Sequence, residues 1–145
     1  MEPFSQTCSF RWSDLDPVGH VRHSVYYDFC AQLRTKALTH YGISLQTMQQ
    51  HGMGPVLFEE KAVFKREMHF GDIISLNLQA KGFRTDFSRF AFIHHFERAD
   101  GTLCATVEVL GAWMDLRARK LGAPPEIWTT AWNEIPRAEG FNWDL

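Results

Sequence analysis

Asp16-Pro17-Val18-Gly19-His20-Val21-Arg22-His23-Ser24-Val25-Tyr26 sets the architecture of this chain. The first half of the stretch opposes any regular element, because Pro17 has no backbone donor and Gly19 carries the conformational freedom that helices and strands penalise. The second half opens a helix. From Ser24 onward Tyr26, Cys30, Leu33, Ala37 and Tyr41 recur at steps of three and four, and Val25, Phe29 and Leu38 widen that stripe. Ser24 is the expected N-cap, with His23 the less comfortable alternative, and Gly42 stands where a C-terminal glycine belongs. So wide a stripe predicts a helix buried over most of its circumference.

Working outward, residues 6–12 read as a short strand before this loop, and a second short helix is expected over Leu45–Gln50, ended by Gly52. After Gly54-Pro55 the pattern becomes that of strands. Residues 56–69 predict one long strand carrying Val56, Phe58, Val63 and Phe64. Gly71-Asp72 turns the chain into 73–83, which alternates through Ile73, Leu76 and Leu78. Residues 88–98 place Phe90, Phe92, His94 and Phe96 on one side and Ala91, Ile93 and His95 on the other. The Asp100-Gly101 hairpin signal leads into 102–115, with Leu103, Ala105, Val107 and Val109 on one face. Strand, long helix, then four antiparallel strands predicts an α+β fold: one long helix facing a curved antiparallel sheet. Pro124-Pro125 ends the regular part, giving a domain over residues 1–123 and a C-terminal extension over 124–145. Trp128, Trp132, Phe141 and Trp143 predict that the extension packs on the domain or on a partner subunit.

Composition excludes several classes. The chain has 145 residues, enough for one core, and its hydrophobic share of 45% is that of a globular protein. A net charge of -2 without a basic block argues against nucleic acid. No apolar run approaches the roughly 18–20 residues of a membrane span, and the start lacks the pattern of a signal peptide. Cys8, Cys30 and Cys104 are odd in number and widely spaced, so they form neither a disulfide framework nor a metal-binding pair. A reducing cytoplasm is the expected location.

The loop gathers Asp14, Asp16, His20 and His23 within ten residues, immediately before the helix. A helix N-terminus offers unpaired N–H groups and a partial positive charge, which can hold a developing oxyanion. A carboxylate beside it supplies a nucleophile or a general base. By spacing alone the alternative stays open that Asp16 is a turn residue bonding nearby N–H groups, and Asp14 has a stronger claim to that role. The same four side chains are metal-ligand types. Paired helical histidines must lie on one formed helix, however, and Pro17 and Gly19 prevent that here, so no metal is expected.

Residues 16–26 resemble the D-x-x-G-x-V-x-[HN]-x-x-Y motif of hot-dog-fold acyl-CoA thioesterases of the 4-hydroxybenzoyl-CoA thioesterase-like family. The similarity extends over the long helix, the Gly71-Asp72 turn, the Asp100-Gly101 hairpin and the late proline. It implies hydrolysis of an acyl-CoA thioester to free acid and coenzyme A, without a bound cofactor. It places Asp16 as nucleophile or general base, a backbone N–H near His23 as oxyanion donor, His23 as a residue orienting substrate or water, Gly19 at the tight turn, and Tyr26 mainly in packing. It also implies a homodimer or homotetramer with each site built where two subunits meet. Arg22 and Val18 depart from the commonest pattern of the family, which bears on acyl specificity. Two rival activities remain: hydrolysis of acyl carrier protein thioesters, and acyl-CoA binding without turnover.

Other candidates are positional. Glu59 and Glu60 are strand neighbours, so at most one faces the site; Glu59 is the candidate substrate contact. Coenzyme A carries phosphates, for which Arg84 and Arg89 flank one connection, and Arg117, Arg119 and Lys120 follow the last long strand. His94, His95 and His69 read as ordinary sheet or turn residues.

Overall fold

The computed structural model describes residues 2–145. The elements run β1 (Ser5–Cys8), α1 (Val25–His40), α2 (Leu45–His51), β2 (Met53–Phe64), β3 (Ile74–Asn77), β4 (Gln79–Phe83), β5 (Arg89–Arg98), β6 (Leu103–Asp115), β7 (Lys120–Leu121), α3 (Thr129–Glu134) and β8 (Arg137–Asn142). All strands belong to one sheet. β2 pairs with β6, β6 with β5, and β5 with β4 and β3 at its two ends, every pairing antiparallel. β1 covers the outer edge of β3 and β8 that of β4. β2, at the opposite end, pairs with β6 alone among the described residues. Helix α1 lies on the concave face, which is the hot-dog arrangement.

The alternation read along residues 88–98 is physical. Phe90, Phe92, His94 and Phe96 are all buried, and Val107, Val109 and Trp113 of β6 continue that layer. Helix α1 meets it with Val25, Tyr26, Cys30, Leu33 and Ala37. The buried part of α1 is this one stripe, while Asp28, Gln32, Thr35 and Thr39 lie outside it; the expected burial of most of its circumference does not hold within one chain. Helix α2 matches its expectation: the Ser44 hydroxyl accepts from the Thr47 N–H at 3.2 Å, and Gly52 ends the helix in the left-handed region, φ 63°.

Several strands are shorter than the sequence suggests. The first stops at Cys8, and a 3-10 turn over Trp12–Asp14 follows, held by Asp14. β2 stops at Phe64, where the N–H groups of Lys65 and Arg66 both turn onto the Cys104 carbonyl. The stretch 73–83 is two strands broken at Leu78, whose N–H donates to the Phe4 carbonyl. Its inward residue is Ile74, fully buried, whereas Ile73 is 69% exposed.

Residues 124–145 fold back onto the same sheet. β8 lies parallel to β4, and Trp128, Trp132 and Ile135 join the core. The Arg137 guanidinium stacks on Phe83, Phe141 and Trp143 and donates to the carbonyls of Trp132 and Ile135, fixing the tail in place.

Candidate active site

The loop before α1 is built around Asp16. Its Oδ1 accepts from the N–H groups of Val18 at 3.0 Å and His20 at 2.9 Å, and its backbone N–H donates to the His20 carbonyl at 2.7 Å. Gly19 closes the turn at φ +85°, a conformation that a residue with Cβ resists. One carboxylate oxygen is thus fixed, while Oδ2 meets no donor among the described residues. The turn is pinned to the chain after β2: the Val21 N–H donates to the Met68 carbonyl, and the rings of His20 and His69 stack edge to face at 5.0 Å.

Asp16 shares a cleft of about 290 Å³ with His20, His23, Tyr26, Phe64 and Glu67. His23 is exposed at the start of α1, and its backbone N–H has no acceptor among the described residues. The helix carries no side-chain cap, because the Ser24 hydroxyl instead accepts from Arg22 Nε at 2.8 Å. The N–H groups of His23 and Ser24 thus keep no acceptor among the described residues, while that of Val25 donates to the Arg22 carbonyl at 3.0 Å. Tyr26 packs edge to face against Phe64 and Phe96, and burial pushes its hydroxyl up to about 12, so it remains a neutral wall. Glu67 is held below the usual carboxylate range by its own backbone N–H and then by His20.

Asp14 has a different role. Its buried carboxylate accepts from the Arg11 N–H at 2.8 Å and from Arg11 Nη2 at 3.0 Å, and the Arg11 hydrogen bond keeps it ionised below the usual range. The Asp14 carbonyl accepts from the Arg22 N–H, so this residue holds the two ends of the loop together.

A second concavity, of about 760 Å³, opens between the C-terminal half of α1, α2 and the sheet. Leu38, Ile43, Leu57, Phe90, Phe92 and Trp113 are among its apolar walls, and Trp132 and Ile135 of the C-terminal segment close one side. Arg34 enters it from α1. The two concavities lie at opposite ends of β2: Phe64 borders the cleft of Asp16, and Pro55 and Leu57 border the larger cavity.

Other sequence candidates fall elsewhere. Glu59 pairs with Leu110 and borders a cleft on the outer sheet face with Lys61, Lys81 and Glu108, away from Asp16. The reason is a bulge: Phe58 has no partner in β6, so the side-chain parity shifts by one, and Glu60 is the residue that turns inward, 3.7 Å from Arg34. Arg84 and Arg89 border neither concavity. Arg84 Nε donates to the Leu145 carbonyl, and the Arg89 guanidinium lies over the Phe58 ring. The cations beside Asp16 are Lys65 and Arg66. Sequence reasoning missed them, because nothing in composition tells that β2 ends at Phe64 and delivers the next two residues to the loop.

One helix wrapped by one antiparallel sheet is the hot-dog arrangement, and the loop at the start of that helix holds the half-free carboxylate of Asp16 beside free backbone donors. The chain belongs to the thioesterase-like superfamily, whose sequence model matches residues 10–132. Its class of activity is thioester hydrolysis. No curated protein matches the chain significantly. Among solved structures, the hypothetical protein SAV2348 from Staphylococcus aureus, in complex with CoA, superposes with a TM-score of 0.82 at 22% identity, covering 90% of this chain and 81% of that one. Slr0204, a 1,4-dihydroxy-2-naphthoyl-CoA thioesterase from Synechocystis, gives 0.80 at 22% identity, covering 90% and 96%. YbaW, a probable thioesterase from Escherichia coli, gives 0.78 at 16% identity, covering 92% and 99%.

Proposed function

We propose that the chain hydrolyses an acyl-CoA thioester, with Asp16 as the reacting carboxylate and the free N–H groups at the start of α1, near His23, as oxyanion donors. The observation that carries this reading is the asymmetry of Asp16: Oδ1 is fixed by two backbone donors while Oδ2 is free. A group so held reacts without first having to be oriented. It either attacks the carbonyl, giving a mixed anhydride and the thiol, or takes a proton from water that attacks instead. Both routes consume one water and yield the acid and free coenzyme A. Exposed Lys65 and Arg66 stand at the cleft to meet phosphate groups.

A homodimer completes the site. β2 is a free edge strand of the sheet, longer than the other edge strands β1 and β8 among the described residues, and Leu57, Phe58, Val63 and Phe64 on it are 40–52% exposed. An unpaired apolar edge of this length is a template for another strand. A twofold axis perpendicular to the strands pairs two copies of β2 antiparallel. The Phe64 end of one copy then meets the Pro55 end of the other, so that the Asp16 cleft of one subunit opens on the apolar cavity of its partner. That cavity receives the acyl group. No described helix is long and apolar enough to cross a membrane, and the three buried free thiols suit a reducing compartment such as the cytoplasm.

The test is thiol release from a panel of acyl-CoAs by the wild type and by Asp16→Asn, which keeps an oxygen to accept from Val18 and His20. Turnover that survives this substitution removes Asp16 from the mechanism. Tight acyl-CoA binding without any turnover in the wild type would identify a binder.

A further inference from the structure

The large cavity is apolar over most of its wall, yet two of the residues that border it carry hydrogen-bond donors with no acceptor. The first is Arg34. Its Nη1 lies 2.9 Å from His94 Nε2, and His94 Nδ1 lies 2.8 Å from the Asn77 carbonyl. A carbonyl only accepts, so Nδ1 carries the proton; an arginine only donates, so Nε2 offers its lone pair. The tautomer of the fully buried His94 is therefore fixed, and it engages one of the five guanidinium N–H bonds. Glu60 Oε1 stands 3.7 Å from Nη2, beyond hydrogen-bond range, on a side chain that is 30% exposed at the free edge. The other N–H bonds of Arg34, on a side chain only 13% exposed, have no protein acceptor among the described residues.

The second donor is Trp132, from the C-terminal segment. The residue is 2% exposed, and its indole N–H is buried without a partner. Of the hydroxyls on the same wall, Thr35 donates to the Ala31 carbonyl and Ser44 accepts from the Thr47 N–H, while Thr39 is an exposed position of α1. The buried wall thus has donors to spare, one of them cationic. A pure hydrocarbon chain would leave both unmatched, whereas a chain carrying oxygen would satisfy Arg34 and, with a turn of the Trp132 ring toward the cavity, the buried indole N–H as well.

We infer that the cavity selects an acyl group bearing an oxygen acceptor, a carboxylate or a ketone, several carbons from the thioester, with Arg34 and Trp132 as the specificity-determining residues. This rests on the reading that the cavity receives the acyl group of a thioester substrate.

The experiment compares kcat/KM for three length-matched coenzyme A thioesters: hexanoyl, 5-oxohexanoyl and adipoyl. At least one oxygenated chain should exceed hexanoyl by about tenfold or more, since a site built to hydrogen-bond a group discriminates against its absence. Preference for adipoyl identifies an ion pair with Arg34. Equal preference for the ketone identifies a neutral acceptor, the guanidinium charge being balanced by Glu60. In Trp132→Phe and Arg34→Met the ratio of oxygenated to plain chain should fall toward one, and Arg34→Lys should restore part of it. Trp132→Phe removes little besides the N–H, so it serves if Arg34→Met fails to fold. Equal turnover of all three thioesters overturns the inference and leaves thioester hydrolysis standing. A ratio unchanged in both Trp132→Phe and Arg34→Met overturns it as well. Absence of thiol release from all three removes the reading beneath it, and the inference falls with it.

Discussion

The two ends of β2 differ in almost every physical respect. At the Phe64 end lies a small polar cleft made by the loop before α1 and the chain after β2, with Asp16, His20, His23 and Glu67 at its surface. At the Pro55 end lies a larger apolar cavity whose walls come from α1, α2, the sheet and the C-terminal segment. The cleft has a half-free carboxylate and little room; the cavity has room and, among the described residues, no carboxylate on its wall. Neither end alone accounts for hydrolysis of an acyl thioester. On the proposed reading the free edge between them joins the two functions, since antiparallel pairing of two β2 strands would bring the cleft of one copy to the cavity of the other.

The largest expected effect comes from breaking that join. Phe58→Lys with Val63→Lys places charges on the edge at two positions already 40% exposed or more. The fold should be retained, judged by circular dichroism, because neither residue belongs to the core. Sedimentation should show a monomer, and thiol release should fall to background. A monomer with wild-type turnover would mean that cleft and cavity of one chain suffice.

Asp16→Asn is the next largest. Loss of a general base or nucleophile lowers kcat by about 10²–10⁴-fold, while the turn and the thermal midpoint should change little. The dimer should persist. This separates the reactive end from the binding end, since KM for the acyl chain is set at the cavity.

His94 tests the cavity end through stability. Burial, and then the Arg34 charge, lower its pKa from 6.5 to about 3. The unfolded chain therefore takes up a proton between about pH 6.5 and pH 3 that the folded chain refuses. Stability is fully present above the unfolded value and is lost as pH falls toward the folded one, at up to about 1.4 kcal/mol per pH unit. His94→Gln can still accept from Arg34 and donate to the Asn77 carbonyl. Chemical denaturation across about pH 4–7 should show the wild type losing stability toward acid more steeply than this variant. Parallel curves would mean that His94 titrates freely in the folded protein.

What the sequence revealed about these two ends differs too. The loop side of the cleft was legible because its parts are consecutive: Asp16, Gly19, His23 and Tyr26 lie within one turn and the helix after it, whereas residues 64–67 come from the far end of β2 and the chain after it. The α1 stripe and the alternation of Phe90, Phe92, His94 and Phe96 were legible for the same reason, since both periods are local. The cavity was not. Arg34 meets His94 across 60 residues of chain, and the Trp132 wall exists only once β8 has paired with β4. The sequence favours Glu59 over Glu60, while the structure turns Glu60 inward, because one unpaired residue, Phe58, reverses the parity of the strand and leaves no mark on its composition. The expected length of β2 failed likewise: the bond acceptor that ends it, the Cys104 carbonyl, lies on another strand.

The smallest expected effect sharpens the comparison at the reactive end. Gly19 has φ +85°, and a Cβ added there would meet nothing within 4 Å. The cost of Gly19→Ala is therefore backbone strain alone, about 1–2 kcal/mol for an L-residue in the left-handed region. In a chain of this size that lowers the thermal midpoint by a few degrees. The strain falls on the turn whose N–H groups at Val18 and His20 fix Asp16 Oδ1. If fixing that oxygen matters for reaction, kcat should drop while the dimer and the relative preference among acyl chains stay as they were, because the cavity lies at the other end of β2. A lowered midpoint with unchanged kcat would show that Asp16 reacts without needing its two donors. A changed chain preference would show that the two ends are coupled through the strand.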